Sequence, residues 1–154
     1  MKTRITLMSL GICFFGVLCF AADDVQMGTW KLNEAKSKIS AGASKNSTVV
    51  YAADGDNIKV TVDGTDADGK PTHNEWTGKF DGKDYPVTGD PTQDMRSYKK
   101  INARTMALTV KKDGKVATSG RIVVAADGKS RTVTTTRTDS TGKESTSTSV
   151  YDKS

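Results

Sequence analysis

Past position 21 the 154-residue chain has no cysteine, since its only two, Cys13 and Cys19, fall in the leading apolar stretch. A disulfide framework, a cysteine metal cluster and a cysteine nucleophile are thereby excluded from the remainder. Histidine occurs once, at His73. A Ser-His-Asp triad would have to use that residue, and no Gly-x-Ser-x-Gly elbow accompanies it. A second long apolar run is also missing, which leaves nothing for a later membrane-spanning helix. Charge of one sign is scarce as well: the formal +5 includes Lys2 and Arg4, leaving +3 after Ala21. That is too weak for the footprint of a dedicated nucleic-acid protein. Leu, Ile, Val and Phe together make up only 19 of the 133 residues after Ala21, about 14% and below the ~20% under which disorder becomes a concern. The same stretch holds 19 Thr, two Trp and four Tyr. These β-branched and aromatic residues favour strands although hydropathy scales score several of them as polar.

Lys2 and Arg4 precede an apolar segment from Ile5 to Phe20, and Ala21 and Ala22 then give way to Asp23 and Asp24. This is the layout of a secretory signal, with cleavage expected after Ala21. Lipidation is disfavoured because Leu18 and Ile12, not small residues, precede the two cysteines. The expected organisation is a signal peptide over 1–21 and one domain over 22–154, in an exported protein of the periplasm or extracellular space.

Helical periodicity is almost absent from the rest. Alternation and β-branched runs recur about every ten residues, separated by Asp54-Gly55, Asp63-Gly64, Asp68-Gly69, Asp81-Gly82, Gly89-Asp90-Pro91, Asp113-Gly114, Asp127-Gly128 and Thr141-Gly142. This punctuation predicts ten antiparallel strands near 27–32, 47–53, 57–63, 74–80, 84–88, 95–100, 104–111, 115–125, 130–138 and 145–151. Prolines are too few and helices too short to blunt the edges of such a sheet, and closure removes the edges altogether. The fold expected is all-β, a single antiparallel up-and-down barrel of about 8–10 strands. Keeping apolar faces together favours a three-residue loop with a glycine bulge at Asp113-Gly114, pairing Leu108 with Thr118 and Val110 with Val116. Register at Asp127-Gly128 is left open by the same test.

Two segments carry a resemblance. Gly28-Thr29-Trp30-Lys31-Leu32 resembles the Gly-x-Trp opening of lipocalins and fatty-acid-binding proteins, in which the Trp plugs the barrel end, and Ser147 to Lys153 resembles the last strand of fatty-acid-binding proteins, which carries Arg-x-Tyr. The chain is thus similar to the calycin superfamily, and also to small exported bacterial proteins of unassigned activity. The resemblance implies Gly28 and Trp30 as a structural motif, with Trp30 buried at one end beneath an arginine guanidinium. It also implies Tyr151 as a ligand-binding residue. Ser149 stands where the family has its Arg, and Asn33 to Ser47 is too short for a two-helix lid.

An anionic head group would then need another cation, and Arg137 on the neighbouring strand is the candidate. A Thr141-Gly142 turn pairs Val133 with Val150 and Arg137 with Thr146, setting Arg137 on the face opposite Tyr151, whereas a one-residue bulge brings the two together. No residue presents itself as catalytic. His73 reads as an exposed residue of a hairpin loop. Asp66, Asp68, Gly69 and Glu75 fall into part of an EF-hand frame, but its first ligand place is Gly64 and strands flank it, so a polar hairpin loop is expected and no metal or other cofactor. Arg96, Lys99, Lys100, Arg104, Lys111 and Lys112 read as a solvated strand face. The function expected is non-catalytic binding of a small apolar or amphipathic molecule by a monomer, with no nucleic-acid partner and no membrane insertion once the signal is removed. The alternative is a solidly packed barrel acting as a structural or interaction module against an envelope polymer or protein. An interior cavity of a few hundred cubic ångströms separates the two readings.

Overall fold

The computed structural model describes residues 24–154, so the signal-peptide reading of 1–21 lies outside the described residues. Ten strands run in chain order: β1 (Gly28–Leu32), β2 (Lys45–Asp54), β3 (Asn57–Thr65), β4 (Pro71–Gly78), β5 (Tyr85–Thr88), β6 (Met95–Asn102), β7 (Thr105–Lys112), β8 (Lys115–Val124), β9 (Ser130–Thr138) and β10 (Glu144–Lys153). Each pairs antiparallel with its sequence neighbours, and β1 pairs with β10, so the sheet closes into an up-and-down barrel. The ten expected strands are all present. β4 starts at Pro71, three residues earlier than the alternation suggested, which places His73 on a strand and not in a loop.

Alternation sets the interior. Val49 and Tyr51 of β2, Val60 and Val62 of β3, Trp76 of β4, Tyr98 of β6, Met106 of β7 and Ile122 and Val124 of β8 all point inward and are buried. Across the middle of the barrel Trp76, Tyr51 and Phe80 meet the ring of Tyr98 edge-on, with the Trp76 centroid 4.8 Å away. That geometry brings the positive edge of one ring to the negative face of another. Room for these rings depends on Gly78, where a Cβ would lie 2.5 Å from the Tyr85 ring and 2.7 Å from that of Trp76.

The hairpin registers separate cases that sequence pattern could not. At β7–β8 the tip is a two-residue turn, with Asp113 at φ 49° and Gly114 at φ 76°, and Lys112 opposite Lys115. A register shift follows between Val110 and Lys111, so that Val110 faces Thr118, Leu108 faces Gly120 and Val116 is turned outward and exposed. The expected pairing of Val110 with Val116 is therefore corrected. A primed turn matches the twist of the strands, and the bulge behind it restores the apolar faces. At β8–β9 Ile122 faces Val133 and Val124 faces Arg131.

The end of the barrel nearest residue 24 is closed by Trp30, which is fully buried and donates from its indole Nε1 to the Gln26 carbonyl at 2.8 Å. Above it lies the Arg131 guanidinium, its Cζ 4.7 Å from the Trp30 ring centroid, 4.8 Å from that of Tyr51 and 5.1 Å from that of Tyr151. Gly28 adopts φ 105°, a left-handed conformation that brings the chain entering β1 against Lys153. At the other end the β1–β10 pairing stops after Leu32 and Tyr151. Beyond it residues 33–44 run along β10 as a strap with one 3-10 turn, Glu34–Lys36, where a fatty-acid-binding protein would have helices. Ser37 Oγ accepts from Val150 N at 2.9 Å, Lys38 bridges to Thr148, and Ser40 N donates to Ser147 Oγ at 3.0 Å.

Replacing Trp30 with alanine removes the plug and the aromatic ring nearest Arg131 together. Trp30→Ala should cost about 3–5 kcal/mol in urea unfolding, the range for emptying a large aromatic site. A loss below about 1 kcal/mol would show that the plug carries little of the stability.

Candidate functional site

The strap end of the barrel stays open. Its interior forms a cavity of about 360 Å³, inside the usual ~300–1,000 Å³ of small-molecule sites. Leu108 and Val110 of β7 and Val133 of β9 form apolar patches in its wall. Thr72 and Asn74 of β4, Arg96 of β6, Thr118 of β8, Thr135 and Arg137 of β9, and Ser145, Ser147, Ser149 and Tyr151 of β10 supply its polar lining. Ile39 of the strap and Asp90 and Gln93 from the β5–β6 loop complete the mouth.

The last hairpin brings Arg137 and Tyr151 onto one face. Its loop is longer than a two-residue turn, with Asp139 N donating to the Lys143 carbonyl and Gly142 N donating to the Asp139 carbonyl, both at 3.0 Å. Asp139 Oδ1 takes the Thr141 hydroxyl at 2.6 Å and the Thr141 and Lys143 amides at 2.8 and 3.0 Å. The Thr141 hydroxyl, with these amides, holds the Asp139 carboxyl below the usual carboxylate range. The five-residue loop sets Arg137 opposite Ser145, Val133 opposite Ser149 and Arg131 opposite Tyr151. That register is one residue away from the pairing a Thr141-Gly142 turn gives, and it turns Arg137, Ser145, Ser147, Ser149 and Tyr151 to the interior together. Arg137 lies exposed at the mouth, while Tyr151 is buried deeper, between the cavity and the Trp30 plug. Burial pushes the Tyr151 hydroxyl above its ordinary pKa, against the opposing charge of Arg131 and the Ser149 hydroxyl. The same desolvation raises Tyr51, reinforced by Tyr98 and opposed by Arg131. Both phenols are neutral hydrogen-bonding groups at physiological pH.

Arg96 is the residue that reading charges along the sequence misplaced. Grouped there with a solvated basic stripe, it is 5% exposed and points inward. Its Nη2 donates to Asn74 Oδ1 at 2.9 Å and Gln93 Oε1 at 2.7 Å, its Nε to the same Gln93 oxygen at 3.2 Å, and its Nη1 reaches the Tyr98 hydroxyl at 3.5 Å. Gln93 Nε2 in turn donates to Asp90 Oδ2. Burial acts to raise the Asp90 pKa, but hydrogen bonds from Thr92 and Gln93, with the charge of Arg96, bring it below the ordinary value. The signal for Arg96 was present in the pattern: it stands two residues from Tyr98, so an inward Tyr98 requires an inward Arg96.

Six ion pairs join described residues, and none engages Arg96, Arg131 or Arg137. The partial EF-hand frame is spent on local structure, because Asp66 Oδ1 accepts from the amides of Asp68 and Lys70 and Glu75 pairs with Lys59 at 2.9 Å. Among the described residues no cluster of His, Asp and Glu is arranged to hold a metal ion.

No protein-family model matches the chain, and no curated protein matches it. Among solved structures the chain is similar to EF1p2_mFAP2b, which is bound to DFHBI, with a TM-score of 0.50 and 10% identity over 84% of this chain and 94% of that one. It is also similar to a redesigned β barrel, mFAP1, bound to DFHBI, with a TM-score of 0.45 and 17% identity over 84% and 95%. At these identities the first likeness is one of fold alone, and the second is weaker than a shared fold requires. The chain is a ten-stranded antiparallel β-barrel with one closed and one open end.

Outside the cavity, His73 Nδ1 lies 2.7 Å from Asp63 Oδ1 on the outer surface of β3–β4. The hydrogen bond to Asp63 raises the histidine above its ordinary value of 6.5, helped by the charges of Asp63 and Glu75. Because the folded value is raised, the small stabilisation from this pair is complete below the unfolded pKa and fades as pH rises through the folded one. An NMR titration of the lone imidazole should give a midpoint above 6.5, and Asp63→Asn should lower it. An unchanged midpoint in Asp63→Asn would remove Asp63 as the cause.

Proposed function

We propose that this protein is an exported, non-catalytic carrier or sensor of calycin type that holds one small amphipathic molecule in the open end of its barrel. The observation that carries this reading is the cavity of about 360 Å³, in which Leu108, Val110 and Val133 face Arg96, Arg137 and the hydroxyls of β10. Apolar patches beside a few oriented polar groups are the usual composition of a small-molecule site. A barrel serving only as a packed scaffold would fill that volume with side chains, as this one does at the Trp30 end. EF1p2_mFAP2b, a protein of similar fold, is bound to the small molecule DFHBI. The oriented hydroxyls and guanidinium groups of the described lining are hydrogen-bonding groups suited to holding a polar ligand. Export rests on the signal-like layout of residues 1–21, and periplasmic or extracellular placement follows from it.

The decisive measurement is native mass spectrometry of protein purified from its own source. A small-molecule adduct lost on mild activation should accompany the folded protein, and the adduct should raise the thermal midpoint when added back to stripped protein. Bare protein mass, together with no thermal shift across a panel of small amphiphiles, would defeat the binding reading.

A further inference from the structure

The inward side of the open end carries two arginines, Arg96 and Arg137, that make no ion pair. Arg96 is buried, and its hydrogen-bond partners are the neutral Asn74, Gln93 and Tyr98. Behind Tyr151, at the closed end and outside the cavity lining, Arg131 is 2% exposed, packs against three aromatic rings and has Nε and Nη1 without a hydrogen-bond partner. Arg137 projects at the mouth. The two carboxylates that line the same cavity are turned into their own loops: Asp66 onto the amides of Asp68 and Lys70, and Asp90 onto Thr92 and Gln93. The nearby Asp90 carboxylate and the Gln93 link offset part of the charge of Arg96, and the long 3.5 Å contact to Tyr98 leaves its Nη1 edge the least committed of its donors. A guanidinium desolvated in this way is strengthened by an anion that accepts from it.

The rest of the wall argues about the body of the ligand. Ser145, Ser147 and Ser149 succeed one another on the inward side of β10, with Thr118, Thr135 and Thr72 across from and beside them. Of the three serines, Ser147 already accepts a hydrogen bond from the strap. An alkyl chain laid against this surface would strip water from the hydroxyls and return no hydrogen bonds, which is unfavourable for each group left unpaired. A hydroxylated body satisfies them, while its C–H faces lie against Leu108, Val110 and Val133.

We infer that the ligand is a small hydroxyl-bearing organic anion, a sugar acid or sugar phosphate in size and chemistry, with its anionic group between Arg96 and Arg137 and its hydroxyls on the serine and threonine wall. This rests on the binding reading above and narrows it, since a lipid-like anion would satisfy that reading but not this one. Arg137 is the residue to vary because it is exposed and its loss leaves the core intact, and Thr135→Val removes a wall hydroxyl without changing shape.

Isothermal calorimetry at low salt with D-glucuronate, glucose 6-phosphate, neutral glucose and laurate tests the inference, with the unliganded melting temperature as the control for folding. At least one of the two hydroxylated anions should bind, at least about tenfold more tightly than glucose and more tightly than laurate. The preference between them identifies carboxylate or phosphate as the recognised group. Arg137→Gln should weaken that anion by about tenfold or more, and added salt should weaken it too. Thr135→Val should weaken it several-fold and leave laurate unaffected. Equal binding of glucose and the anions, or an Arg137→Gln protein that folds and binds as before, would overturn the role of charge. Laurate binding in the absence of both hydroxylated anions would overturn the inference while leaving the binding reading in place. Failure of all four probes would also overturn it, and the binding reading would then stand or fall on the native mass spectrum.

Discussion

The guanidinium of Arg131 is the point on which the barrel closes. It sits among Trp30 from β1, Tyr51 from β2 and Tyr151 from β10, and is itself carried by β9. One cation thus joins four strands at the seam where the first and last meet. Removing such a group from water costs several kcal/mol if nothing replaces the hydration, and each aromatic face returns about 0.5–2 kcal/mol as a cation–π contact. The three rings must be present together for the arrangement to be favourable. The seam needs this support because β1 is the shortest strand but one and pairs with β10 over three residues only.

Closing one end tightly leaves the other end a different problem. Beyond Leu32 the free edge of β10 is covered by the strap, whose Ser37 and Ser40 side chains satisfy backbone groups that a longer β1 would have paired. Edge coverage by a loop is one way of keeping a sheet from adding a foreign strand. Because the strap pairs with the edge of β10 and sends only small or single side chains such as Ile39 and Ala43 to the cavity, the interior at this level is left largely to the small side chains of β10, and a cavity results. Small residues on one wall and arginines on two others give the site its character. A large apolar residue at Ser147 or Ser149 would have produced a packed interior instead.

The two ends are tied by register. The five-residue loop before β10 faces Arg131 to Tyr151 at the plug and Arg137 to Ser145 at the mouth. A slip of one residue would put Tyr151 and the serine row on the face opposite both arginines. The seam and the cavity are therefore products of one loop geometry, fixed by Asp139 accepting from the hydroxyl and amide of Thr141 and the amide of Lys143.

Local pattern by itself determined the ten strands, because Thr-rich alternation and Asp-Gly punctuation act within a few residues and need no partner to be read. It also favoured closure of the sheet, since nothing in the sequence protects its edges. What the tertiary structure alone decided was which groups share the interior. At Asp113-Gly114 turn twist and core burial competed, and a bulge let both win. At Asp139 a side-chain cap lengthened the loop and moved Arg137 onto the face of Tyr151. The inward side of Arg96 could be read from its spacing to Tyr98, but its contacts with Asn74, 22 residues away, and with Gln93 on the β5–β6 loop came only with the folded chain. Strand formation is a property of neighbours in sequence, whereas the register and the cavity depend on free-energy differences among long-range pairings, and those exist only once the barrel has closed.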